Sequence, residues 1–207
     1  MSVPGVAVPG SVVASGAAVS PGGAQGLTGA QGPSGGSGGS GGTLTLAVFR
    51  GIDGMPPVSN YAYFATRDSG VLGVMQFIKT GNVDTSLVFA GVIPQGTPTF
   101  PTGLKIILFW ASATAVTGNV EFSAAIDNVN AHSIDTDSYG TAVSATTIVN
   151  GTAAVMNSTT INLPNANLQS LAAEQPYKLL ITRRASDTSV DTMADIASLF
   201  LVTVKSY

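Results

Sequence analysis

From Gly23 onward glycine returns at every third position, at Gly23, Gly26, Gly29, Gly32, Gly35, Gly38 and Gly41. This period restricts the backbone more than any other feature of the chain. Only glycine fits at the crowded axis where three polyproline-II strands wind together, so the triplet is the signature of a collagen-type triple helix. At about 3.1 Å per residue, residues 23–42 would span roughly 60 Å as such a stalk. Pro33 is the only proline in the two other triplet positions, and the last triplets read Gly-Gly-Ser. A triple helix this poor in proline is weak by itself and needs a trimeric head to hold its strands in register. Residues 35–42 alone read as a flexible Gly/Ser linker. Residues 23–34 read as a triple helix or a related three-stranded bundle.

The segment before the stalk repeats Val-Pro-Gly, at residues 3–5 and 8–10, and closes on Ser20-Pro21-Gly22. Proline fixes φ and removes a donor, so this segment favours extended backbone with turns. Its apolar residues follow no helical or strand period. Alone it reads as a disordered tail. Lying in the groove of a partner it would order, through Val3, Pro4, Val6, Val8, Pro9, Val12 and Val13. It lacks the basic start of a signal peptide. A membrane span needs about 20 predominantly apolar residues, and glycine and proline interrupt every window here.

Arg50 is the first charged residue, and 9% of the chain is charged, against about 25% in a typical soluble domain. So little charge suits a subunit whose surface is covered by copies or partners. A net charge of −3 and a pI near 4.8 argue against nucleic acid, which calls for a basic footprint. Cysteine is absent, which excludes disulfides, thiolate catalysis and Cys-based zinc sites.

Residues 43–207 hold all the aromatic side chains and suit one domain. Their pattern is β throughout. Leu44, Leu46 and Val48 alternate with small or polar residues, as do Val120, Phe122, Ala124 and Ile126, and then Phe200, Val202 and Val204. Ile106 to Trp110 is apolar on both faces, which predicts one face on the core and the other on a neighbouring subunit. Asn150-Gly151 between apolar runs predicts a type I′ hairpin joining strands at 145–149 and 152–155. Further strands are expected at 71–78, 85–93 and 177–184, with short helical turns only at 166–175 and 190–197. Eight or so strands with turn-rich spacing predict an all-β, jelly-roll-type β-sandwich head.

Chemistry-bearing patterns are few. His132 is the single histidine; Ser133 and Asp135 are too near in sequence to form a triad with it, so it reads as a solvated loop residue. Gly35-Gly-Ser37-Gly-Gly39 matches a nucleophile elbow only formally, because it arises from the Gly-Gly-Ser repeat. Asp135 to Gly140 begins like a calcium loop but places Thr146 where a bidentate Glu is required. Asp187, Asp191 and Asp195 near Arg183 and Arg184 read as a polar hairpin connection rather than a cation site or trimer salt bridges. Asn150 and Asn157 fit glycosylation triplets, yet turn chemistry accounts for both. No catalytic, metal or cofactor-binding residues are identified, and an enzyme is not expected. Tyr61, Tyr63 and Tyr139 lie in Gly/Asn/Asp-rich segments, where exposed rings could stack on sugars as glycan contacts.

An uncharged N-terminal peptide, the stalk GAQGLTGAQGPSGG and a β-rich head together resemble tailed-bacteriophage fibre and head-fibre decoration proteins. Stretches such as LKIILFWASATAVTGNVEFSAAID and SYGTAVSATTIVNGTAAV are similar to terminal domains of phage virion proteins. The resemblance runs from Gly23 onward. It implies a structural homotrimer on the virion surface, anchored to capsid or tail proteins through residues 1–22, whose head aids attachment to host surface glycans. A dedicated receptor- or carbohydrate-binding tip is the first alternative. A spore-surface filament protein is the second, although such stalks usually carry many more triplets.

Overall fold

The computed structural model describes residues 43–67, 70, 72–97, 100, 102–133 and 136–206. The expected anchor at residues 1–22, including Val3 to Val13, and the triplet glycines Gly23 to Gly41 lie outside the described residues. Among these the chain forms β1 (Thr45–Arg50), β2 (Tyr63–Arg67), β3 (Leu72–Phe77), β4 (Thr85–Val92), β5 (Gly103–Ser112), β6 (Asn119–Asn128), β7 (Val143–Ile148), β8 (Asn157–Pro164), β9 (Pro176–Arg183) and β10 (Ala197–Ser206).

The strands make two antiparallel sheets. The first runs β2-β3-β10-β5-β8, with β1 also on β10, and the second runs β4-β9-β6-β7. Strands β3 to β10 follow jelly-roll connectivity, because 3-10-5-8 lies in one sheet and 4-9-6-7 in the other. One flank of β10 is shared: β3 pairs with Ala197 to Leu199, and β1 with Leu201 to Lys205. A register shift against β5 falls between Leu199 and Leu201, leaving Phe200 as a bulge.

Period-two patterning explains which face is buried. On β5, Leu104, Ile106, Leu108 and Trp110 are fully buried, and they join Val202, Val204, Ile161 and Leu163 of the same sheet. Phe122, Ala124, Ile126, Leu179, Ile181, Leu87 and Phe89 meet them from the other sheet. Phe122 packs edge-on against Phe77 and Trp110, with centroids 5.5 and 5.8 Å away. The Trp110 indole N–H donates to Thr159 Oγ1 at 2.9 Å. That hydroxyl also lies 2.7 Å from Thr147 Oγ1, which links the sheets by a polar contact inside the core. Gly103 opens β5 at φ +137°, and a Cβ there would stand 1.9 Å from the Leu163 carbonyl oxygen. Strands β5 and β8 therefore approach too closely for any side chain at this position.

Several expectations are corrected. Asn150-Gly151 does not turn a hairpin: β7 and the next strand, β8, belong to different sheets, and 152–155 is not a strand. The Asn150 side chain instead accepts from Thr152 N, and its own N–H donates to Asn157 Oδ1. This short polar crossing satisfies the same turn residues that a hairpin would use. Asn157 opens β8 rather than sitting in a turn. The helical turn expected at 166–175 shrinks to a 3-10 turn at Asn165–Asn167, and 190–197 forms none.

Candidate functional site

Tyr61 and Tyr63 form an exposed aromatic pair at the edge where the two sheets meet. Tyr61 bridges Ser86 of β4, while Tyr63 begins β2 in the other sheet. The backbone is held by Ala62 N donating to Ser86 O at 2.9 Å and Ser86 N donating to Asn60 O at 2.7 Å. Asn60 adopts φ +52°, a left-handed conformation that asparagine tolerates. Because the segment is extended and Ala62 is buried, its two neighbours both turn outward. The rings are 38% and 46% exposed, with centroids 5.0 Å apart and planes inclined by 55°. With Asn60, Ile78, Val83 and Thr85 they line an open hollow of about 250 Å³. Such a site offers two ring faces and two phenolic hydroxyls, the mixture that suits a ligand with both C–H faces and hydroxyls.

The pair is distant from Leu44, beside the last residue of β10. Tyr63 stands opposite Gln76, and Gln76 opposite Ser198 near the start of β10. Leu44 N donates to Ser206 Oγ at 3.2 Å, at the other end of β10.

Tyr139 does not join this pair. It is half-buried beside Asp127 and Asp137, and its hydroxyl is covered without a hydrogen-bond partner. Burial first, then the charges of Asp137 and Asp127, push its phenol above the ordinary range.

His132 is corrected from a solvated loop residue to one arm of a charged cluster. Its Nε2 is joined to Asp127 Oδ1, and Asp127 is fully buried at the end of β6. Lys178 of β9 lies 3.8 Å from Asp127 Oδ2 and 2.7 Å from Asp137 Oδ1. The hydrogen bond to Asp127, then that to the Ser133 backbone, raises the His132 pKa above 6.5, against burial and the Lys178 charge. Asp135, at the head of the rejected calcium loop, lies outside the described residues.

The acidic run at 187–195 is not a hairpin connection but the crossing from β9 to β10 in the opposite sheet. Arg183, the last residue of β9, and Asp191 within the crossing are both fully buried. Arg183 Nε and Nη2 donate to the two Asp191 oxygens at 2.8 and 2.9 Å. Its remaining hydrogen bonds go to the carbonyls of Phe77, Asp195 and Met193. Lys79 adds a contact to Asp191 Oδ1 at 3.4 Å and donates to its carbonyl. Asp195 accepts from Thr114 N and Ala115 N. Burial opposes ionisation of Asp195, but donors from Thr114, Ile196 and Ala115 outweigh it and hold the carboxyl below its usual range. This cluster fastens the two sheets together and leaves no open position for a substrate.

The outward face of the first sheet is apolar where β1, β10 and β5 adjoin. Val48 is 55% exposed, and Ile107, Phe109 and Leu201 are half-buried. Register places Phe109 opposite Leu201, and Thr203 opposite both Ile107 and Val48. The double-faced apolar run at 106–110 thus has one face in the core and the other turned away from it.

No family model and no curated protein matches the chain in sequence. Among solved structures it is similar to an exo-β-1,3-galactanase of Phanerochaete chrysosporium solved with galactose, with 11% identity over 77% of this chain and a TM-score of 0.44. The match takes in 29% of the galactanase. The C-terminal CBM6 module of a marine laminarinase from Zobellia galactanivorans has 15% identity, covering 79% of this chain and 98% of that one, with a TM-score of 0.39. A family 11 carbohydrate-binding module of Clostridium thermocellum has 10% identity, covering 78% and 94%, also with a TM-score of 0.39.

Proposed function

We propose that this chain is a subunit of a homotrimeric surface fibre whose β-sandwich head binds carbohydrate. The observation that carries the binding role is the Tyr61–Tyr63 pair: two adjacent exposed rings beside a hollow, far along β10 from Leu44 and Ser206. Ring faces stack on the C–H faces of a pyranose while the phenolic oxygens reach its hydroxyls. Binding of this kind is weak per head, and three heads on one stalk raise it through effective concentration. Residues 1–22 dock the fibre on a larger particle, of which a phage capsid or tail is the reading that fits the uncharged peptide and the glycine triplets.

The test is a glycan array probed with the full chain and with Tyr61→Ala and Tyr63→Ala. Binding by the parent, reduced on the order of tenfold in each variant, supports the reading; equal binding by all three proteins overturns it.

A second reading, a decorating subunit without a ligand, is favoured by the apolar outward face at Val48, Ile107, Phe109 and Leu201. It predicts a trimer that decorates particles and loses this ability, but not its trimeric state, when residues 1–22 are removed.

A further inference from the structure

Arg67 closes the same edge strand that Tyr63 opens, and both side chains lie on the outward face. Period-two alternation puts Tyr63, Ala65 and Arg67 on one side of β2, where they stand opposite Gln76, Val74 and Leu72. Val74 and Ser198, also outward, are fully buried, yet neither belongs to the core between the sheets. The Arg67 guanidinium arches over this region, and its Nη2 donates to Ser198 Oγ at 2.7 Å.

The pairing of this arginine is unlike that of the others. Among the described residues Arg50 holds Asp53, Arg183 holds Asp191 and Arg184 holds Asp84. Among the described residues Arg67 has the Ser198 hydroxyl and no carboxylate, and its Nε is buried without a partner. A guanidinium carries five donors in a planar fork suited to a carboxylate, and here Nη2 meets only a hydroxyl while the buried Nε donor is unused. Arg67 borders a hollow of about 310 Å³ that Leu72, Ala111, Ser112, Ala154 and Phe200 line among the described residues. Phe200 stands at the β10 bulge, where the register shift turns a half-exposed ring toward the outward face.

We infer that the ligand of this head is an acidic oligosaccharide, its neutral end stacked on Tyr61 and Tyr63 and a carboxylated sugar held at Arg67 beside Phe200. The inference rests on the carbohydrate reading and names the ligand class. Ser198, which the Arg67 guanidinium reaches, is two strands from Tyr63 in the same register, roughly 10 Å at 4.8 Å per strand, a span that a short oligosaccharide covers. Tyr63 lines one hollow and Arg67 the other, and both stand on the same face of β2, so a single chain of sugars reaches both. A carboxylate supplies the charge that Arg67 lacks, and the apolar walls of its hollow strengthen that ion pair by limiting water.

The test measures binding of the full chain to trigalacturonate, to its carboxyl-reduced counterpart, to sialyllactose and to lactose by titration calorimetry. At least one acidic sugar is expected to bind about tenfold tighter than its neutral partner. Arg67→Met should erase that preference, bringing acidic and neutral affinities together, and Arg67→Lys should restore part of it. Matching melting temperatures for parent and variants establish that the fold is intact. If neutral sugars bind and no acidic sugar is preferred, or if Arg67→Met keeps the preference, the inference fails and the carbohydrate reading stands. If none of the probes binds and a glycan array is also blank, the carbohydrate reading itself fails.

Discussion

Replacing Asp191 by asparagine changes one buried oxygen into an amide and should remove a large share of the head's stability. Both members of the Arg183–Asp191 pair are fully buried, with fork contacts of 2.8 and 2.9 Å. The substitution would keep the volume but turn one of the two contacts into a donor facing a donor, and it would take the counter-charge away from the buried guanidinium. Breaking a buried pair from one side costs about 3–5 kcal/mol, against a total of about 5–15 kcal/mol for a domain. With a urea slope of about 2 kcal/mol/M, the unfolding midpoint should fall by roughly 2 M. Trp110 is the sole tryptophan and is fully buried, so its fluorescence reports the transition directly. The comparison is made at one protein concentration, because association adds to apparent stability. The double variant Arg183→Met with Asp191→Leu should recover little, since it strands the Phe77, Met193 and Asp195 carbonyls that Arg183 serves. A midpoint for Asp191→Asn within about 0.5 M of the parent, equivalent to roughly 1 kcal/mol, would refute the view that this pair fastens the sheets.

Three further outcomes follow from particular residues. His132 holds its proton more tightly folded than unfolded, so its contribution is complete below pH 6.5 and fades as pH rises through the raised folded value. The melting temperature should therefore drop between pH 6 and 8 in the parent, and His132→Gln should lessen that drop; an unchanged pH profile would contradict the Asp127 contact. Gly103→Ala meets both an unfavourable φ and the Leu163 carbonyl, and should cost more than about 1 kcal/mol in urea unfolding. Phe109→Lys with Leu201→Lys, both on the outward face, should convert the proposed trimer of the 20.7 kDa chain into monomers in sedimentation, whereas an unaltered trimer would locate the subunit contact elsewhere.

The strands were legible wherever alternation was strong. Val120 to Ile126, Ile106 to Trp110 and Phe200 to Val204 all lie in strands, because period two with β-branched and aromatic residues has few other outlets. The Asn150-Gly151 expectation failed because turn chemistry is local, and whether a turn returns within one sheet or crosses to the other is decided by the topology. Strand β8 was hidden by its polar outward residues Ser158, Thr160 and Asn162, despite Ile161 and Leu163 on the other side. Tyr61 and Tyr63 stood out in sequence by their Gly/Asn/Asp-rich surroundings, and their i, i+2 spacing in extended backbone is why both rings turn outward. Arg67 belongs to the same alternation, but nothing local distinguished it. Its significance lies in the carboxylate it lacks among the described residues, which only the partners of the other arginines make visible. Asp127 and His132 likewise meet through a loop folding back over β6.

The central claim is that sugar binds across Tyr61 and Tyr63. A crystal structure of the full chain soaked with the strongest-binding oligosaccharide from the array tests it most directly. The account predicts a sugar ring stacked on these two tyrosines; a sugar ordered elsewhere on the head, with both rings bare, would contradict it.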